Sequence, residues 1–105
     1  MRRGEIWWAD LPQPAGRRPV LLLSRNDAYD VRALVTIGPI TTRIRGIPVE
    51  VELGTTDGLP RTCVVNLDTI TTIPKSSLRR RLTTLSVELM AEVEESLRFA
   101  LGMGT

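Results

Sequence analysis

Gly16-Arg17-Arg18-Pro19-Val20-Leu21-Leu22-Leu23-Ser24-Arg25-Asn26 is the stretch on which the fold turns. Val20 to Leu23 are aliphatic without a break, so neither face is polar and the segment reads as a strand buried on both sides. Pro19 has no N–H to donate and suits the first residue of such a strand. Its ring pushes Arg18 toward extended backbone, which holds a guanidinium on a stiff mount at the mouth of the buried run. Taken alone, an arginine there also reads as a surface anchor for the strand end.

Before this strand, Glu5-Ile6-Trp7-Trp8-Ala9-Asp10-Leu11 is rich in β-favouring and aromatic residues, and Pro12-Gln13-Pro14-Ala15-Gly16 is a loop. Trp7 and Trp8 point to opposite faces: one belongs in the core, and the other is free to stack on a base or pack at an interface. After it, Asn26 to Asp30 carries turn and helix-start residues. Ala33 to Ile40 is a second apolar strand, with a bulge or bend at Gly38-Pro39.

Thr41 to Gly46 forms a polar, basic corner. Pro48 to Leu53 alternates apolar and acidic residues, Gly54 to Pro60 is a loop, and Thr62 to Leu67 is a further buried strand. Thr69 to Ile73 continues in β-favouring types, and Leu78 to Leu85 reads as a last short strand. Ser86 is a good N-cap for the one long helix, whose apolar face is Leu89, Met90, Val93, Leu97, Ala100 and Leu101, and Gly102 ends it. These elements predict a mainly β fold with a C-terminal helix, a small curved sheet or barrel closed on one side by that helix.

The chain of 105 residues suits one domain. No apolar run approaches the ~20 residues needed to span a bilayer, and the start Met-Arg-Arg-Gly-Glu lacks the apolar region of a signal peptide, so a cytoplasmic protein with no membrane partner is expected. Cys63, the only cysteine, reads as an inert core residue. The formal charge of +2 is unevenly spread: Ser86 to Leu101 holds four glutamates and one arginine, leaving thirteen basic and eight acidic residues on the body. Thirteen of the fourteen basic residues are arginine, the residue best shaped for phosphate. Arg79-Arg80-Arg81 is either a solvated run or a contact for RNA or an acidic partner.

The absence of histidine excludes two-histidine ribonuclease chemistry, a histidine triad and ordinary zinc sites. No Gly-rich phosphate loop is present, and the scattered carboxylates do not suggest a two-metal nuclease, so neither a metal nor another cofactor is expected. Nuclease chemistry here must rest on arginine and hydroxyl groups.

Gly4-Glu5-Ile6-Trp7-Trp8-Ala9-Asp10-Leu11 and Gly16 to Ser24 resemble the opening of MazF/PemK-type toxins. Ile40-Thr41-Thr42, Val64-Val65-Asn66-Leu67-Asp68-Thr69-Ile70 and Leu82-Thr83-Thr84-Leu85 continue the likeness in order, over nearly the whole chain. The resemblance implies an SH3-like small barrel of the MazF/PemK/CcdB-like type and a homodimer. It also implies a bacterial toxin that cuts single-stranded RNA sequence-specifically and is held in check by a cognate antitoxin.

Matched position by position, the family's catalytic arginine falls on Arg18 and its catalytic threonine on Thr41. Thr42 shares that motif, and Arg43 follows it. The first loop, with Pro14, Gly16 and Arg17, is implied in RNA binding, and Asp68 falls at a family position near the substrate. Family members often carry a longer first loop with an acidic residue before the arginine; Pro14-Ala15-Gly16-Arg17 has none. The expected reaction is attack by the RNA 2′-hydroxyl on the adjacent phosphorus, with Arg18 stabilising the charge. The alternative is a non-catalytic binding module on the same fold, such as a toxin of the gyrase-poison type. An extended acidic antitoxin segment suits the arginine-rich face.

Overall fold

β2 (Arg17–Leu22) lies at the middle of the sheet, as its aliphatic run demands. The computed structural model describes residues 1–104. Val20, Leu21 and Leu22 are fully buried, and successive side chains enter opposite cores. Leu21 joins Ile6, Ile40, Val65, Leu67 and Val93 in one apolar cluster. Val20 and Leu22 join Ala9, Tyr29, Val35, Ile37 and Ile73 in the other. One short strand is therefore the wall between two cores. Leu23 falls just past its end, partly buried against the first cluster.

β1 (Glu5–Asp10) and β3 (Leu34–Thr41) flank β2. With β4 (Glu50–Leu53), β5 (Cys63–Asn66), β6 (Thr71–Pro74) and β7 (Leu78–Thr84), they form one antiparallel sheet. Its order is β4-β5-β3-β2-β1-β7, and β6 also pairs with β3. The single helical turn α1 (Ala28–Val31) leads from β2 into β3.

β3 changes partner along its length. Leu34 to Ile37 lie on β6, whereas Ile40 and Thr41 lie on β5. The change falls at the expected bend, Gly38-Pro39. A Cβ on Gly38 would lie 2.9 Å from Val65 Cγ2, so the close approach of β5 requires glycine there.

The predicted β-rich fold with a terminal helix is what forms, but its ladder of strands stays open between β4 and β7. The 3-10 turn Thr55–Asp57 meets β7 instead, its Asp57 carbonyl accepting the Thr83 hydroxyl at 3.1 Å. The segment expected to continue as a strand from Thr69 first makes a 3-10 turn, Leu67–Thr69, because the Asn66 side chain accepts the Asp68 N–H at 2.8 Å.

α2 (Val87–Ala100) is capped as its sequence predicts: Ser86 Oγ accepts the Leu89 N–H at 3.1 Å. Val93 is fully buried, and Leu89, Met90, Leu97 and Ala100 pack on the first core. Leu101 departs from the expected apolar face. It lies past the last turn and is exposed, while Gly102 at φ 68° ends the helix. Arg3 ties the chain start to α2 through Glu94 at 3.0 Å.

Glu5 is the one buried charged residue among those described. Its Oε1 accepts the Arg2 N–H at 3.1 Å and the Trp7 indole N–H at 2.9 Å, and Oε2 faces Arg81 at 3.5 Å. Burial pushes this carboxyl up, but those hydrogen bonds and the nearby positive charges together hold it below the ordinary 4.5.

Gly38→Ala is expected to lower unfolding stability by about 1–3 kcal/mol through overpacking against Val65. Gly54→Ala, with open space around its Cβ, changes it by less than about 0.5 kcal/mol; urea midpoints compare the two. Because the Glu5 pKa is lowered on folding, its contribution is complete above pH 4.5 and fades as pH falls through the folded value. Urea midpoints of the wild type therefore drop more steeply below pH 4.5 than those of Glu5→Gln.

Candidate functional site

The first loop is short and closed. The Leu11 N–H donates to the Gly16 carbonyl at 3.0 Å, and the Ala15 N–H to the Pro12 carbonyl at 3.1 Å. Gly16 turns the chain into β2 at φ 63°, a backbone region that favours glycine. Arg18, half-buried, donates from Nε to the Ala15 carbonyl at 3.2 Å, so its guanidinium is anchored to the loop that precedes it. On β3, Pro39 lies across from Val20. Carried two residues on, that register sets Arg18 across from Thr41, on the face shared by Val20 and Pro39.

Thr41 and Thr42 line a cavity of 420 Å³ with Pro19, Ile40, Arg61 and Cys63, and Trp8 forms one wall. Its lining is mostly apolar, with the two threonines and Arg61 among its few polar residues. Thr41 Oγ1 accepts the Arg43 N–H at 3.1 Å, which orients the hydroxyl at the start of the corner. Cys63 is 3% exposed, and burial, helped by the charge of Asp57, pushes its thiol up. A thiol kept neutral is neither nucleophile nor base, in keeping with the core role expected of it.

On the other side of Trp8 lies a second cavity of 410 Å³, lined by Trp8, Arg17, Arg79 and Arg80. Asp10 sits between two of these arginines, Oδ1 accepting from Arg17 Nε at 3.0 Å and Oδ2 from Arg79 Nε at 2.6 Å. The hydrogen bonds from Arg17 and Arg79 hold the Asp10 carboxyl below its usual range, and the bond to Asp10 raises Arg17. The run Arg79-Arg80-Arg81 is thus divided: Arg79 pairs with Asp10, Arg81 with Glu5, and Arg80 is exposed in the cavity.

The expected site residues do not all gather in one place. Thr41 and Thr42 share the first cavity with Pro19, the neighbour of Arg18, while Arg17 faces the second cavity. Pro14 and Gly16 shape the loop that holds Arg18. Arg43 lies on the exposed corner and lines neither cavity, touching the site only through its N–H on Thr41. Asp68, on the turn beyond β5, also lines neither; Thr41 pairs with Val64 at the opposite end of that strand.

Arg61 was not a candidate from the sequence, where the Gly54–Pro60 stretch reads only as a loop. Trp8 is the side chain shared by both cavities, while Trp7 packs on the second core, as opposite faces require. Among the described residues, no three His, Cys, Asp or Glu side chains gather as a metal site would need. No helix among them is long and apolar enough to cross a membrane.

Residues 2–101 match the family described as PemK-like, MazF-like toxin of type II toxin-antitoxin system. The chain is 41% identical over 103 residues to a probable endoribonuclease, MazF2, of Mycobacterium tuberculosis, covering 97% of this chain and 99% of that protein. Among solved structures, it superposes on Mycobacterium tuberculosis toxin MazF-mt6 with a TM-score of 0.89 and 32% identity, over 96% of this chain and 99% of that one. An endoribonuclease in complex with its cognate antitoxin, from a mycobacterial species, also matches at a TM-score of 0.89 and 31% identity, over 100% and 98% of the two chains. With a family match over residues 2–101, this identity over nearly the full length and a shared fold, the chain belongs to the PemK-like, MazF-like toxin family.

Proposed function

We propose that the protein is the toxin of a type II toxin–antitoxin pair, a sequence-specific endoribonuclease that cuts single-stranded RNA without a metal. The observation that carries this reading is the β2–β3 register, which carried two residues on sets Arg18 across from Thr41, while Thr41, Thr42 and Pro19, the neighbour of Arg18, line one cavity. The whole chain, 1–105, acts as one MazF/PemK-like domain. It works in the cytoplasm as a homodimer and is neutralised by a cognate antitoxin.

In the reaction, the RNA 2′-oxygen attacks the adjacent phosphorus, the bond to the 5′-oxygen breaks, and the ends are a 2′,3′-cyclic phosphate and a 5′-hydroxyl. The 2′-hydroxyl gives its proton to water, and the departing 5′-oxygen takes one from water. No carboxylate lines the Thr41 cavity, and an arginine keeps its proton. The catalytic work of Arg18 is therefore electrostatic: two parallel N–H bonds to the non-bridging oxygens as their charge grows. The Ala15 carbonyl takes only the Nε donor of Arg18, so its Nη donors stay available for the phosphate.

Thr41 orients the same phosphate, and Thr42 and Arg61 border it. Pro14, Gly16 and Arg17 place the loop along the strand of RNA. Arg43 and Asp68 contact nucleotides farther from the cut.

Single-turnover cleavage of a long single-stranded RNA in excess chelator tests this reading. Wild type is expected to cut, leaving cyclic phosphate ends, and not to cut DNA of the same sequence. Arg18→Ala is expected to lose about 10²–10³ in rate with its circular dichroism unchanged. Thr41→Val is expected to lose about tenfold, the worth of one hydrogen bond to a charged group. Chelated wild type that leaves RNA intact overturns the proposal and favours a non-catalytic binder.

A further inference from the structure

The cavity on the far side of Trp8 has no part in the cleavage step, yet three guanidinia and an aromatic ring converge on it. Arg17 and Arg79 are both held by the single carboxylate of Asp10. Arg80 is exposed and in none of the ion pairs among the described residues, although its neighbours Arg79 and Arg81 are both paired. Three guanidinia against one carboxylate leave the site positive, and half-buried Trp8 offers a flat surface within it. An acidic peptide satisfies the charge but has no use for the ring. A nucleotide of single-stranded RNA satisfies both, its phosphate on a guanidinium and its base on the indole.

Placement favours the same occupant. Trp8 is also a wall of the cavity that holds Thr41, so the two cavities adjoin across one side chain. We infer that Trp8, Arg80 and the Asp10-held pair Arg17 and Arg79 form a subsite for a nucleotide flanking the cut, Trp8 stacking on its base and Arg80 binding its phosphate. This rests on the reading of the protein as an RNA-cleaving enzyme. Asp10 has a defined part in it: it fixes the two outer arginines in place and tempers their charge, which limits how tightly the flanking nucleotide is held.

The test is a titration of the full chain with a short, mixed-sequence 2′-O-methyl RNA, which lacks the attacking hydroxyl, at several salt concentrations. Cleavage of natural RNA is measured in parallel, and circular dichroism checks each variant's fold. Arg80→Gln is expected to bind about fivefold more weakly at 0.1 M salt, with a log–log salt slope shallower by about 0.7, as for one lost phosphate contact. Trp8→Leu is expected to lose about tenfold, and Trp8→Phe to keep most of the affinity, because the ring remains. Asp10→Asn is expected to bind more tightly with a steeper salt slope.

If Arg80→Gln and Trp8→Leu bind as the wild type does while the wild type still cuts natural RNA, the subsite is wrong and the cleavage reading stands. If the wild type cuts no RNA, both fall together. A polyglutamate peptide that binds through Arg80, with RNA affinity untouched by the substitutions, overturns the subsite in favour of an acidic partner.

Discussion

Burial of β2 on both faces is the constraint from which the rest of the structure follows. Val20, Leu21 and Leu22 have no exposure, so β2 must have strands on both sides and a core above and below. A one-residue slip would exchange the two cores' side chains and send Pro19 and Arg18 to the wrong faces. Each fully buried aliphatic side chain contributes about 1.5–3 kcal/mol, so three of them fix the register against competing pairings. Rigidity at this strand is therefore inherited by whatever stands at its mouth.

What stands there is Arg18. A guanidinium on a loop would need to lose conformational freedom before it met a substrate; one on a strand end stiffened by Pro19 has lost much of it on folding. The closed first loop supplies the Ala15 carbonyl as an acceptor for Nε, which helps hold the guanidinium in place. Thr41 is placed by the same logic from the other side, since the bend at Gly38-Pro39 carries β3 from β6 to β5 and delivers the threonine pair to a cavity rim. Asp10 ties Arg17 to Arg79 across β1, so much of the basic surface around the site is itself held in order.

Much of this was legible in the residues alone, where short-range chemistry dominates. The buried run at Val20, the cap at Ser86, the stop at Gly102 and the bend at Gly38-Pro39 each follow from one or two side chains and their neighbours. The division of Arg79-Arg80-Arg81 was not legible, because register shifts in the β1–β7 pairing decide which arginine meets which carboxylate. Asp68 fell away from the cavity because Asn66 turns the chain by capping its N–H, a local bond with a distant consequence. The open edge between β4 and β7 and the arrival of Arg61 beside Thr42 depend on how the Gly54–Pro60 loop packs on β7, which no periodicity encodes. Motif order singles out Arg18 and Thr41 as candidates; only the β2–β3 register, carried two residues past Val20 and Pro39, sets them across from each other.

The most direct measurement is a crystal structure with an RNA made uncleavable by a 2′-deoxy nucleotide at the cut site. Arg18 is predicted to aim its Nη groups at one phosphate, with these nitrogens and the Thr41 hydroxyl each about 3 Å from its oxygens. A scissile phosphate bound out of reach of the Arg18 guanidinium would contradict that geometry and remove Arg18 from the chemistry.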